Sequence, residues 1–146
     1  MKRLITLMMT LALALSCVFS VSAFAATPET ADTRASLYFN SYSATIVPEG
    51  GGDITIEAIV KAKKVMSKLS IKKIVVQEKN GSSWTSVKTF TDTTNPSFAV
   101  ENRMTNAVDV TYSGTKGKEY RAQVTVYAAD ASGSDTKTFT STAKTA

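Results

Sequence analysis

The sequence predicts an all-β protein, a single antiparallel β-sandwich of about seven strands that follows an N-terminal export signal. Two observations support this fold class. Apolar residues recur at every second position within short segments, and clusters of Gly, Asn, Asp, Pro and Ser separate these segments. This is the pattern of half-buried strands joined by turns. A domain of roughly 110 residues is long enough to fold on an apolar core without crosslinks.

The first 25 residues have the features of a secretory signal peptide. Lys2 and Arg3 precede an apolar run, and Ala23-Phe24-Ala25 offers the small residues at which signal peptidase cuts. We therefore expect residues 1–25 to be removed, which leaves no transmembrane segment. An uncleaved anchor, or a lipid attached at Cys17, fits the flanking residues less well.

Removal of the signal peptide limits the chemistry of the mature protein. Cys17 is the only cysteine and the chain has no histidine. Without them the mature chain has no disulfide, Cys nucleophile, Ser-His-Asp triad or zinc site of Cys and His. We predict no cofactor and no enzymatic activity. After removal of Lys2 and Arg3, the mature chain has 15 basic and 12 acidic residues, which gives a net charge of +3.

The predicted strands are separated by short turn segments in the sequence. Residues 26–35 (ATPETADTRA) lack periodicity and predict a flexible leader, so the domain spans residues 36–146. The first strand is expected at residues 36–47 with a kink at Asn40-Ser41. Alternation then places Ile54, Ile56, Ala58 and Val60 on one buried face of a second strand. Strands at 71–79 and 84–90 flank Asn80-Gly81, a pair that favours a tight hairpin turn with positive φ angles.

The second half of the chain continues the pattern after residues 91–96 interrupt it. Val108, Val110 and Tyr112 alternate, and the longest alternating run extends from Tyr120 to Ala128. Residues 136–142 form a Thr-rich last strand. We predict one shared core, made of Ile54, Ile56, Val60, Ile74, Val76, Tyr120, Ala122, Val124 and Val126.

The segment from Ala58 to Leu69 allows two interpretations. Met66 and Leu69 fall at helical spacing among several lysines, which would suit a basic amphipathic helix on an anionic membrane. The period-two run before it and the β-branched residues after it favour a strand followed by a loop. In that interpretation Met66 and Leu69 close one end of the core.

Several segments carry a resemblance to known proteins. Residues 117–128 followed by 131–134 resemble the last hairpin of immunoglobulin-like and fibronectin type III-like domains, in which a Tyr, here Tyr120, opens the strand and its hydroxyl bonds back to the preceding chain. Together with residues 38–39, 41–44 and 78–84, this hairpin is similar to a family of small secreted proteins of unknown function from Gram-positive bacteria. The resemblance implies an immunoglobulin-like sandwich and supplies no functional residues.

Six lysines within thirteen residues are the most unusual charge feature of the chain: Lys61, Lys63, Lys64, Lys68, Lys72 and Lys73. They suit an anionic cell-wall polymer, an acidic glycan or lipid headgroups. The competing interpretation is that they solubilise a loop and protect a sheet edge. We do not predict nucleic-acid binding, because no aromatic platform accompanies the lysines.

Trp84 is the second candidate. A two- or four-residue hairpin loop places Ile74, Val76 and Val87 on one face and Trp84 on the opposite, polar face. There it could stack on a sugar ring, or it could cover the sheet over lysine stems. The candidate ligand-binding residues are therefore Trp84, Lys63, Lys64 and Lys68.

Three functions remain open from the sequence. The first is a secreted, non-enzymatic binding or structural module associated with the cell wall or a glycan. The second is a membrane-surface protein that acts through the basic segment, and the third is an extracellular hydrolase with an unrecognised acidic pair. Asp130 and Asp135 also offer oxygens for calcium, although their spacing matches no known calcium loop.

The signal peptide leads to the first prediction. We expect the mature protein in the culture supernatant, beginning at or next to Ala26, because Ala23 and Ala25 suit the peptidase. Intact-mass measurement of the secreted protein checks the cleavage position. Recovery of the chain in the membrane fraction with a lipid on Cys17 would contradict it.

Overall fold

The computed structural model describes residues 36–146, which form two antiparallel sheets packed around one apolar core. The strands are β1 (Phe39–Gly50), β2 (Asp53–Met66), β3 (Lys68–Asn80), β4 (Ser83–Thr91), β5 (Ala99–Val100), β6 (Arg103–Ser113), β7 (Glu119–Asp130), β8 (Gly133–Thr140) and β9 (Lys144–Thr145). A 3-10 helix, Pro96–Phe98, precedes β5. The predicted signal peptide, Cys17 and the leader lie outside the described residues.

The two sheets divide the strands in an immunoglobulin-like manner. One sheet has the order β1-β2-β6, and the other has the order β4-β3-β7-β8, with β5 beside β3 and β9 beside β7. The seven long strands are the seven that the sequence predicts. The two additional strands, β5 and β9, have two residues each and are too short to show alternation.

The core lies between the sheets and confirms the predicted set. All nine predicted core residues have no solvent-exposed surface: Ile54, Ile56, Val60, Ile74, Val76, Tyr120, Ala122, Val124 and Val126. In β7, buried and half-buried positions alternate strictly from Glu119 to Ala129. Val87 packs against the same core, as its predicted face requires.

The connection between β2 and β3 differs from both interpretations of residues 58–69. This segment is neither a helix nor a strand with a long loop, because β2 continues to Met66 and β3 begins at Lys68. Only Ser67 separates the two strands, which belong to different sheets. Met66 and Leu69 are fully buried, so their predicted place at the end of the core is confirmed.

The predicted kink in β1 and the predicted tight turn between β3 and β4 are both present, but the backbone angles of the turn differ from those expected. The β1–β2 register shifts between Phe39 and Ser41, where the sequence predicts a kink. At the β3–β4 turn, Asn80 pairs with Ser83 and the two central residues are Gly81 and Ser82. Only Gly81 has a positive φ, of 61°, so the expected positive φ at Asn80 is wrong.

Tyr120 closes one end of the sandwich with its hydroxyl. The Thr115 N–H donates to this oxygen at 2.8 Å, and the hydroxyl donates to the Glu78 carboxylate at 2.8 Å. This bond back to the preceding chain is the one that the immunoglobulin-like pattern implies. Gly114 passes against the ring, where a Cβ would lie 2.8 Å from the ring carbon that bears the hydroxyl. Any larger residue at position 114 would displace the ring or the backbone.

The core assignment leads to a stability prediction. Val124→Asp should lower the free energy of unfolding by at least about 3 kcal/mol, because it buries an unpaired carboxylate between the sheets. Thr111→Asp, at an exposed position of β6, should cost less than about 1 kcal/mol. Urea unfolding of both variants provides the measurement. Similar unfolding midpoints for the two would contradict the assignment.

Candidate functional site: a basic end of the sandwich

The lysine segment and Trp84 lie at opposite ends of β3. Lys68 begins this strand, whereas Trp84 pairs with Lys79 close to its other end. Lys79 lies eleven positions after Lys68 in extended chain, about 35 Å away at the usual rise per residue. The structure therefore does not bring Trp84 and the lysines into one compact site.

Trp84 lies on the outer face of its sheet, as the predicted parity requires, and its ring is in contact with charged side chains. The Arg121 guanidinium carbon lies 4.4 Å from the ring centroid, and the Arg121 Nε donates to Gln77 at 2.7 Å. Lys79, at 5.9 Å from the same centroid, forms an ion pair with Glu119 at 2.6 Å. These contacts connect β4, β3 and β7 through a cation–π interaction. They favour a structural role for Trp84.

The six lysines are divided between two sheets. Lys61, Lys63 and Lys64 belong to β2, and the other three belong to β3. The Lys72 ammonium lies 5.3 Å from the centroid of the Tyr127 ring, on the outer face of the second sheet. Lys73 pairs with Thr125 further along that strand. The remaining four lysines surround the point where the chain passes from one sheet to the other.

The β2–β6 ladder is interrupted at this point. Pairing is regular as far as Lys61 with Thr105, and the next pair joins Met66 to Arg103. The four residues from Ala62 to Val65 therefore lie opposite a single residue of β6, Met104. Such a bulge breaks the alternation of faces, and three consecutive side chains are exposed there: Lys63, Lys64 and Val65.

Hydrogen bonds hold the bulge on both sides. The Lys63 N–H donates to the Tyr38 carbonyl at 2.9 Å, which fixes the bulge to the chain before β1. The Lys64 ammonium forms an ion pair with Asp130 at 2.7 Å, and the Ser67 hydroxyl donates to the Ala129 carbonyl at 2.9 Å. The bulge is thus attached to the end of β7.

Asp130 has three donors. Besides Lys64, the Ser132 N–H donates to it at 2.7 Å and the Ser132 hydroxyl at 2.5 Å. The hydrogen bond from Lys64, followed by those from Ser132, lowers the pKa of Asp130 to about 2. The same ion pair raises the pKa of Lys64 above its ordinary value.

The calcium hypothesis receives no support from this geometry. The oxygens of Asp130 accept the bonds just described, and Asp135 accepts bonds from the Ser36 hydroxyl and the Thr136 N–H. Within residues 36–146, no three His, Cys, Asp or Glu side chains are grouped so that they could hold a metal ion.

Exposed apolar residues accompany the lysines, and the sequence analysis does not identify them. The three large apolar side chains with the greatest exposure in the described part of the chain are Leu37 at 81%, Val65 at 55% and Met104 at 46%. Val65 and Met104 adjoin the Met66–Arg103 pair on the same side, and Leu37 precedes Tyr38, which is bonded to Lys63. All three therefore lie beside the bulge.

We use the name basic end for this region, which consists of Leu37, Lys61, Lys63, Lys64, Val65, Lys68, Arg103 and Met104. Its five cationic residues come from β2, β3 and β6. Two acidic residues lie beside it: Asp130, the last residue of β7, and Glu101, in the bend between β5 and β6. Asp135 also adjoins this end through the hydrogen bond it accepts from Ser36, next to Leu37, and Asp92 accepts one from Ser70 of β3. Positive charge therefore predominates at the basic end.

Comparisons with known proteins assign this chain to no family, so its class is defined by its fold. The chain matches no protein-family model, and a search of curated proteins finds no significant match. Within the described residues, no helix has the length and apolar character needed to span a membrane. The fold and the candidate site define a sandwich domain of immunoglobulin-like type with a basic end.

The Lys64–Asp130 ion pair leads to a prediction about acid stability. The pKa of Asp130 is lowered from 3.8 to about 2 on folding, so its contribution is complete above pH 4 and is lost as the pH falls through 2. The wild type should lose stability between pH 4 and pH 2, and Asp130→Asn should lose less. Urea midpoints across this range provide the measurement, with Asp109→Asn as a control for removal of one exposed carboxylate. Parallel pH profiles for wild type and Asp130→Asn would contradict this.

Proposed function

We propose that this protein is a secreted, non-enzymatic binding module that attaches to an anionic component of the cell envelope through its basic end. The observation that carries the proposal is the collection of five cationic residues from three strands at the point where the sheets connect. Clustered charges of one sign create a local potential that attracts a ligand of the opposite sign.

The electrostatics of the basic end suit a ligand from outside the protein. Among the described residues, Lys64 is the only one of the five cationic residues that forms an ion pair with a carboxylate. Lys61, Lys63, Lys68 and Arg103 are all exposed. Phosphate or carboxylate groups of an envelope polymer or lipid would provide the opposite charge.

A structural alternative is that the lysines only maintain solubility. That role requires dispersed charge, whereas here the cations lie beside exposed apolar side chains on a bulge that several hydrogen bonds hold in place. A fixed arrangement of this kind lowers the entropic cost of binding. We assign Trp84 to the structure and not to the site, because Arg121 occupies one face of its ring.

The experiment compares two variants with the same loss of charge. Lys63→Ala with Lys68→Ala removes two positive charges from the basic end, and Lys116→Ala with Lys144→Ala removes two from the opposite end, near Tyr120. Co-sedimentation with isolated bacterial envelopes measures retention of the secreted protein. We expect the first variant to be retained about tenfold more weakly at low ionic strength and the second to behave as wild type.

Two outcomes would contradict the proposal. One is equal retention of the two variants, which would show that only net charge matters. The other is a wild-type protein that does not sediment with envelopes at any ionic strength. Thermal unfolding of each variant serves as the control for folding.

A further inference from the structure

We infer that the ligand of the basic end is the surface of an anionic lipid bilayer, into which Val65, Met104 and Leu37 insert. This inference rests on the proposed function and names the partner of the same site. It depends on the apolar residues, which a soluble anionic polymer would not require. Large apolar patches on a soluble protein mark interaction sites, and cations around them are typical of proteins that lie on anionic membranes.

The register places the apolar side chains close together. Met66 pairs with Arg103, and Val65 and Met104 directly adjoin this pair on the same side of it, so both lie at the edge of the bulge. Leu37 is brought to the same bulge by the hydrogen bond between Lys63 and the Tyr38 carbonyl. Three adjacent chain segments thus each contribute one apolar side chain to this end.

The cations lie between and beside these apolar residues. Lys63 and Lys64 directly precede Val65, Arg103 directly precedes Met104, and Lys68 follows the Ser67 connection. Long basic side chains can lay their methylene stems along apolar surface while the charged group stays in the headgroup region. The sequence order therefore suits shallow insertion, in which apolar tips enter the acyl boundary and ammonium groups meet lipid phosphates.

The fold holds the site in position without a change of conformation. Ion pairing of Lys64 with Asp130 and the bond from Ser67 to Ala129 fix the bulge to β7. The buried side chain of Met66 anchors the same segment in the core. Docking therefore does not require a helix to form, which distinguishes this arrangement from the amphipathic helix considered for residues 58–69.

The experiment is co-sedimentation of the secreted protein with lipid vesicles. One set contains phosphatidylcholine alone, and the other contains phosphatidylcholine with about one third phosphatidylglycerol. We expect binding to the anionic vesicles only. Val65→Ser with Met104→Ser should weaken it about tenfold at both low and high salt, because apolar burial is not screened. Ile59→Ser is the matched apolar control, since Ile59 is 38% exposed on the outer face of the β1-β2-β6 sheet.

The charge variant gives the complementary result. Lys63→Ala with Lys68→Ala should weaken vesicle binding about tenfold or more at low salt and less at high salt. Unchanged vesicle binding in the Val65 and Met104 double variant would overturn insertion. Wild-type protein that sediments with envelope fragments but not with anionic vesicles would overturn the bilayer as partner and leave the proposed function standing. Failure to bind either would overturn both.

Discussion

The apolar layer between the two sheets is the interaction on which the rest of this domain depends. The only cysteine of the chain is Cys17, so no disulfide joins the sheets of residues 36–146. Burial of side chains such as Ile56, Ile74 and Val124 must therefore supply the stabilisation that a crosslink gives many small exported domains. Because this layer is built from inward-facing residues along the long strands, it leaves the strand ends available for other roles.

The two ends of the sandwich are built in different ways. At one end the Tyr120 hydroxyl satisfies the Thr115 N–H and the Glu78 carboxylate, and Gly114 packs tightly against the ring. At the other end the β2 bulge breaks the ladder and turns successive side chains toward solvent. The first end thus uses its polar groups within the fold, whereas the second exposes cations and apolar side chains to solvent. This contrast supports our proposal that a ligand binds at the basic end.

Much of the fold follows from the sequence because alternation is a local property. It identifies the seven long strands, the buried face of each core strand and the outward position of Trp84. Only part of the basic end can be predicted from the sequence. Its lysines lie close together in the chain, whereas Arg103 and Met104 are placed beside them by the pairing of β6 with β2. The contact of Arg121 with Trp84 likewise depends on strand register across distant segments. Bulges and registers of this kind arise from long-range pairing, which period-two patterns do not encode.

The pairing of β3 with β7 also has a consequence for how the chain reaches its folded state. Ile74 lies opposite Val124, fifty residues later, so β3 can pair with β7 only after the three intervening strands have been synthesised. Pairing over such a distance is slow and leaves the waiting strand open to association with other chains. Lys68 and Lys79 lie near the two ends of β3, and Lys72 and Lys73 interrupt its apolar residues, which are positions that suit gatekeepers, charged residues that limit aggregation of a strand.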